Sequence, residues 1–120
     1  MARVALTKIT PTALTSNATN ITDAAETTMA TGAGNGVTFA YDKKDLIILN
    51  NPTGGNAIYS FIIYDAAGVS AAGGSITDTT ITVATTKKHI LSELPIIFQQ
   101  ADNLVYVDCD VAGEIAVINY

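Results

Sequence analysis

From Leu104 to Val111 the side chains sort by alternation, with Val105, Val107, Cys109 and Val111 on one side of an extended backbone and Leu104, Tyr106, Asp108 and Asp110 on the other. That two-residue period requires a half-exposed strand, and it recurs. Residues 45–50 (DLIILN) and 57–64 (AIYSFIIY) are apolar runs separated by Asn51-Pro52-Thr53-Gly54-Gly55-Asn56, a dense cluster of turn formers, and predict a hairpin. In the second run Tyr59, Phe61 and Ile63 face one way and Ile58, Ser60, Ile62 and Tyr64 the other, the pattern of a central strand. Residues 114–120, rich in β-branched side chains, follow Val111-Ala112-Gly113 and predict a closing hairpin with the strand before them. Further strands are expected at 36–41, 79–84, 96–100 and near 4–9.

Helical spacing is nearly missing. Residues 14–29 are polar and Thr-rich without an apolar stripe, and residues 65–74 (DAAGVSAAGG) have the composition of a flexible loop. About eight short strands in 120 residues predict an all-β fold, an antiparallel β-sandwich or jelly roll. Residues 1–35 are expected to be an extended N-terminal arm and residues 36–120 the β-sandwich domain. Within the arm, residues 10–35 are expected to be weakly structured, because their composition buries too little apolar surface to offset the ordering entropy, about 1–2 kcal/mol per residue.

Charge narrows the function classes. Hydrophobic residues form 48% of the chain and charged residues 14%, against about 25% in an ordinary soluble domain, so the surface is adhesive. The net charge is −5, and Lys43-Lys44 and Lys87-Lys88 are isolated pairs, which argues against nucleic acid. No apolar stretch approaches the roughly 20 residues of a membrane span. The start of the sequence lacks the continuous apolar segment of a secretory signal, so synthesis in a cytoplasm is expected. The single cysteine, Cys109, cannot form an intrachain disulfide and is expected to be a small buried hydrophobe.

Residues capable of chemistry are sparse. Asp108 and Asp110 share a strand face about 7 Å apart by strand geometry, but such a pair on an edge hairpin reads as solvated surface that discourages edge pairing. With Glu114 they do not match a calcium loop. The lone His89 excludes a histidine-based zinc cluster, and no nucleophile-elbow pattern surrounds Ser16, Ser60, Ser70, Ser75 or Ser92. Pairing of His89 with Cys109 is opposed by the inward side of the strand on which Cys109 lies. The glycines of Gly32-Ala33-Gly34-Asn35-Gly36, Gly54-Gly55 and Gly73-Gly74 read as turns, not phosphate cradles. The Asn17-Ala18-Thr19 and Asn20-Ile21-Thr22 sequons are matches that a Thr-rich chain makes by chance. No enzyme activity, cofactor-binding residue or metal ligand is therefore expected. Tyr41, Tyr59, Tyr64, Tyr106 and Tyr120 leave open a carbohydrate-binding module.

Three segments carry a resemblance. Ala5-Leu6-Thr7 with Ile9-Thr10-Pro11-Thr12-Ala13-Leu14-Thr15, then Leu46-Ile47-Ile48-Leu49-Asn50-Asn51, then the run from Phe98-Gln99-Gln100-Ala101-Asp102-Asn103 to Leu104-Val105-Tyr106-Val107-Asp108 together resemble small tailed-bacteriophage virion proteins of the head decoration (capsid cement) or minor head type. Ala101-Asp102-Asn103 stands where that pattern favours a glycine turn. The resemblance implies a structural protein that binds the outside of a shell of major capsid protein and stabilises it, self-associating as a homotrimer on the capsid surface of the virion. A head-tail connector or tail component is the alternative within the same particle.

Overall fold

The computed structural model describes residues 2–10, 26–64 and 78–119. Among them nine strands form: β1 (Val4–Ala5), β2 (Thr27–Thr28), β3 (Val37–Ala40), β4 (Asp45–Asn50), β5 (Ala57–Phe61), β6 (Thr79–Val83), β7 (Lys88–Ser92), β8 (Leu104–Cys109) and β9 (Glu114–Asn119). One sheet has the order β1-β3-β8-β5-β6 and the other β2-β9-β4-β7.

The antiparallel pairs β2 with β9, β3 with β8, β4 with β7 and β5 with β6 are nested one inside the next. They describe one long antiparallel ribbon rolled into two sheets, with β4–β9 and β5–β8 joining its windings. This is the strand order of a jelly roll. The inward sides of the strands pack into one core, with Ile47 and Leu49 of β4 and Ile115 and Val117 of β9 meeting Tyr59 and Phe61 of β5 and Val105 and Val107 of β8. Each such side chain contributes about 1.5–3 kcal/mol on burial.

The rolled ribbon corrects both expected hairpins. β4 and β5 lie in different sheets, as do β8 and β9; among the described strands, β5 and β6 are the consecutive pair bonded to each other within one of the two sheets. Turn formers fix a reversal of the chain, but the sheet that the next strand joins depends on where its apolar side is buried. Asn51, fully buried in the first of these arches, donates from Nδ2 to the carbonyls of Gly55 and Val83 and accepts at Oδ1 from the Thr53 N–H. A third correction concerns residues 96–100. Ile96–Phe98 form a 3-10 turn after Pro95 in which only Phe98 is buried, so the apolar run imitates a strand without its alternation. Strand β7, KHILS, was not expected because its mixed polarity hides the period.

Of the expected arm, the described stretches are extended but paired. β1 runs parallel to β3, Ile9 bridges Ile118, β2 pairs with β9, and Thr31 bridges Cys109. Met29 is 1% exposed in the core. Residues 26–35 are thus not weakly structured: backbone bonds to distant strands, such as Met29 N–H to Gly113 and Gly32 N–H to Cys109 (both 2.8 Å), supply the order that their own sequence period lacks. The rest of the arm expectation, the loop at 65–74, the sequons at Asn17 and Asn20, Ser16, Ser70, Ser75 and Tyr120 lie outside the described residues.

Candidate interaction surface

The outer-face carboxylates were expected to be solvated, and for Asp108 the structure overturns this. β8 is an interior strand of its sheet, and Asp108 is 5% exposed. Its carboxylate accepts from Arg3 Nε and Nη2 at 2.7 and 2.6 Å and from the Gly34 and Gly36 N–H groups at 2.9 and 3.1 Å. Burial pushes its pKa up, but the guanidinium and the two N–H donors outweigh that and hold it below the ordinary carboxylate range. The glycine-rich turn is an anion cradle after all, filled by the chain's own Asp108. Asp110 stays exposed and accepts from the Ile58 N–H at 2.8 Å, while Glu114 accepts from Asn50 Nδ2 at 2.6 Å. The three carboxylates are thus each committed to structural bonds.

His89 stands exposed on β7 opposite Leu49, whereas Cys109 is buried in the other sheet, so the pair is not assembled. Burial pushes the Cys109 thiol above its ordinary value. Ser60 lies in mid-strand on β5 and Ser92 at the end of β7. The described tyrosines do not form a row. Tyr59 is in the core with its hydroxyl shared between the Asn50 and Glu114 carbonyls, and burial raises its pKa well above normal. Tyr41 donates to the Leu94 carbonyl, and Tyr106 donates to Asp102 with Arg3 lying 4.7 Å over its ring. Tyr64 is 39% exposed. Among the described residues no three His, Cys, Asp or Glu side chains could hold a metal ion, and no helix is long and apolar enough to cross a membrane.

The two flanks of the jelly roll differ. On the β1/β2 flank the N-terminal stretch crosses from one sheet to the other and is fastened at both ends. Arg3 holds Asp108 on β8, and Lys8 Nζ holds the fully buried Asp45 of β4 at 2.6 Å, with Asn119 donating to the same carboxylate at 2.9 Å. That flank is closed.

The opposite flank is formed by the edge strands β6 and β7, which follow one another in sequence and end together. Between them opens a groove of about 320 Å3 whose floor is Phe61, Ile81, Leu91, Leu94 and Phe98, with Thr79 and Ser92 at one end. β6, TTITV, carries no charge and no proline, the devices that usually protect an edge strand. Next to Pro95 at the groove, Ile96 and Ile97 are 70% and 40% exposed, and Ile90, on the outer side of β7, is 62% exposed. The stretch 90–97 thus holds three of the six exposed large hydrophobics among the described residues, the largest concentration on any one segment. This surface is not readable from the chain alone, because its parts come from β5, β6, β7, the 3-10 turn and the loop before it; only the uncharged TTITV run was visible in advance.

No protein-family model, curated protein or solved structure matches this chain.

Proposed function

We propose that this protein is a structural virion component, a decoration (cement) protein that grips the outside of a bacteriophage shell and reinforces it. The observation that carries the reading is the open flank, an uncharged edge strand above an apolar groove bordered by exposed isoleucines. Such a surface binds protein; it offers no reacting group to a small substrate. The order of segments resembling phage head proteins supports the same reading, and the jelly roll is a recurrent architecture of viral coats, although fold alone assigns no function.

The mechanism is additive. A domain seated across the seam between two copies of the major capsid protein adds interface that must be broken before they separate, typically about 1,600 Å2 for a specific contact. Low charge density reduces the desolvation that opposes close packing. The fastened β1/β2 flank keeps the domain rigid, so a load on the shell is carried by the contact and not lost in deformation. On this reading the protein is made in the host cytoplasm, and its place is the virion surface. Its partners are the major capsid protein and further copies of itself.

Co-sedimentation of the purified protein with phage heads stripped of it tests the reading. Saturable binding at many sites per head, with a higher particle melting temperature, is expected. Absence of binding would remove it, and binding at the single tail vertex would replace it with the connector alternative.

A further inference from the structure

We infer that β6 is a self-pairing edge, along which two copies of this chain join antiparallel about a twofold axis at Ile81. The inference concerns the same flank as the shell-binding reading: it assigns the β6 edge and the groove to a second copy, and leaves the exposed Ile90, Ile96 and Ile97 as the surface for a shell. It replaces the threefold assembly expected from the sequence with a twofold one.

Among the described residues no strand pairs with the outer side of β6, and which of its groups face outward follows from the bonds of the neighbouring strand. On β5 the Ile58 carbonyl accepts from Asp110 N–H at 3.2 Å and the Ile62 N–H donates to Tyr106 at 3.1 Å, so even-numbered peptide groups face β8. Odd-numbered groups therefore face β6, and the bonded pairs there are Ala57 with Val83, Tyr59 with Ile81 and Phe61 with Thr79. Thr80 and Thr82 are left with their N–H and C=O groups turned outward from the sheet. Their side chains are exposed.

This spacing is self-complementary. In an antiparallel pair centred on Ile81, Thr80 of one copy lies opposite Thr82 of the other, so both residues of each copy satisfy N–H and C=O groups, and Thr–Thr is a favourable cross-strand pair. The two Ile81 residues meet on the side that faces the groove, which brings their side chains over the apolar floor of Phe61, Leu91 and Phe98. Charge agrees with the direction. Asp78 and Glu93 stand exposed at the Thr79/Ser92 end of the flank, and Lys87 at the other end. An antiparallel partner sets the acidic end of one copy beside the basic end of the next, whereas a parallel one would set like beside like. A closed twofold contact also removes an edge that would otherwise recruit chains without limit.

Sedimentation equilibrium of the full chain, with two variants, tests this. The native protein is expected at twice the 12.5 kDa chain mass. Thr80→Lys with Thr82→Lys sets lysines opposite one another, and is expected at single-chain mass with an unchanged far-ultraviolet spectrum and cooperative melt. Ile81→Cys, in a Cys109→Ala background, is expected to form an interchain disulfide under mild oxidation, since facing residues of a non-bonded antiparallel pair have Cα atoms about 4.5 Å apart, within disulfide range. A single-chain mass for the native protein at every concentration, or a trimer, would overturn the inference. So would a native dimer that survives the lysine variant and gives no disulfide.

Discussion

The guanidinium of Arg3 and the carboxylate of Asp108, 105 positions apart in the chain, meet as a two-pronged pair with both contacts at 2.7 Å or less. The two sides of the pair are not equivalent. Removing Arg3 leaves the carboxylate with the Gly34 and Gly36 N–H donors, whereas removing Asp108 strands a guanidinium and two N–H groups together. Asp108→Ala is expected to lower unfolding free energy by about 3–5 kcal/mol. Arg3→Ala is expected to lower it by about 1–3 kcal/mol. Denaturant titrations of both variants check the ranking, and a larger loss for Arg3→Ala would contradict the geometry.

The same carboxylate sets an acid limit. Its pKa is lower in the folded protein than in the unfolded chain, where an aspartate titrates near about 3.9. The unfolded state therefore takes up the proton first, so the stabilisation is complete above the unfolded value and is lost as the pH falls through the folded one. Between about pH 5 and pH 2, Asp108→Asn is expected to show a flatter dependence of stability on pH than the native protein. Equal slopes would mean that other carboxylates govern the acid transition.

What the sequence revealed of Asp108 was its side of the strand, and that side was right. What it hid was the cover, because Arg3 and the Gly34–Gly36 turn arrive from 72 to 105 positions away. The same division runs through the fold. The inward sides of β5 and β8 were legible from their two-residue period, since a strand's own side chains report which side is buried. The sheet joined by each strand was not, because β4 and β5 carry equivalent apolar sides and the choice between hairpin and arch lies in packing across the core. β2 was illegible for a different reason: two residues carry no period, and its place is set by pairing with Ile115 and Glu114.

Cys109 is 2% exposed, and burial raises its thiol pKa, so little thiolate is available to react. Gly113 covers it, since a Cβ there would stand 3.1 Å from the sulfur. Labelling by a thiol reagent in native buffer is expected to proceed only at the rate of unfolding, and to accelerate with denaturant. Rapid labelling of the native protein would show that the cover opens locally.

Gly36 tests the close approach of β3 to β8. A Cβ at this position would lie 1.9 Å from the Val107 carbonyl oxygen, a backbone atom that cannot swing aside, whereas Gly54 and Gly55 have nothing within 4 Å. Gly36→Ala is expected to destabilise by at least about 1–3 kcal/mol. Gly54→Ala is expected to be neutral or to stabilise by up to about 1 kcal/mol, through the unfolded chain. Thermal melts of the two variants measured side by side would separate strain at one site from a general intolerance of alanine in turns.

On the proposed function, the β6/β7 flank is what makes this domain a structural partner of a virion shell. Low-resolution electron cryomicroscopy of heads incubated with the purified protein tests it most directly, because it reports position as well as binding. Added density repeated over the outer shell, at the seams between capsid subunits, is the expected result. Bare shells, or density confined to the single tail vertex, would contradict it.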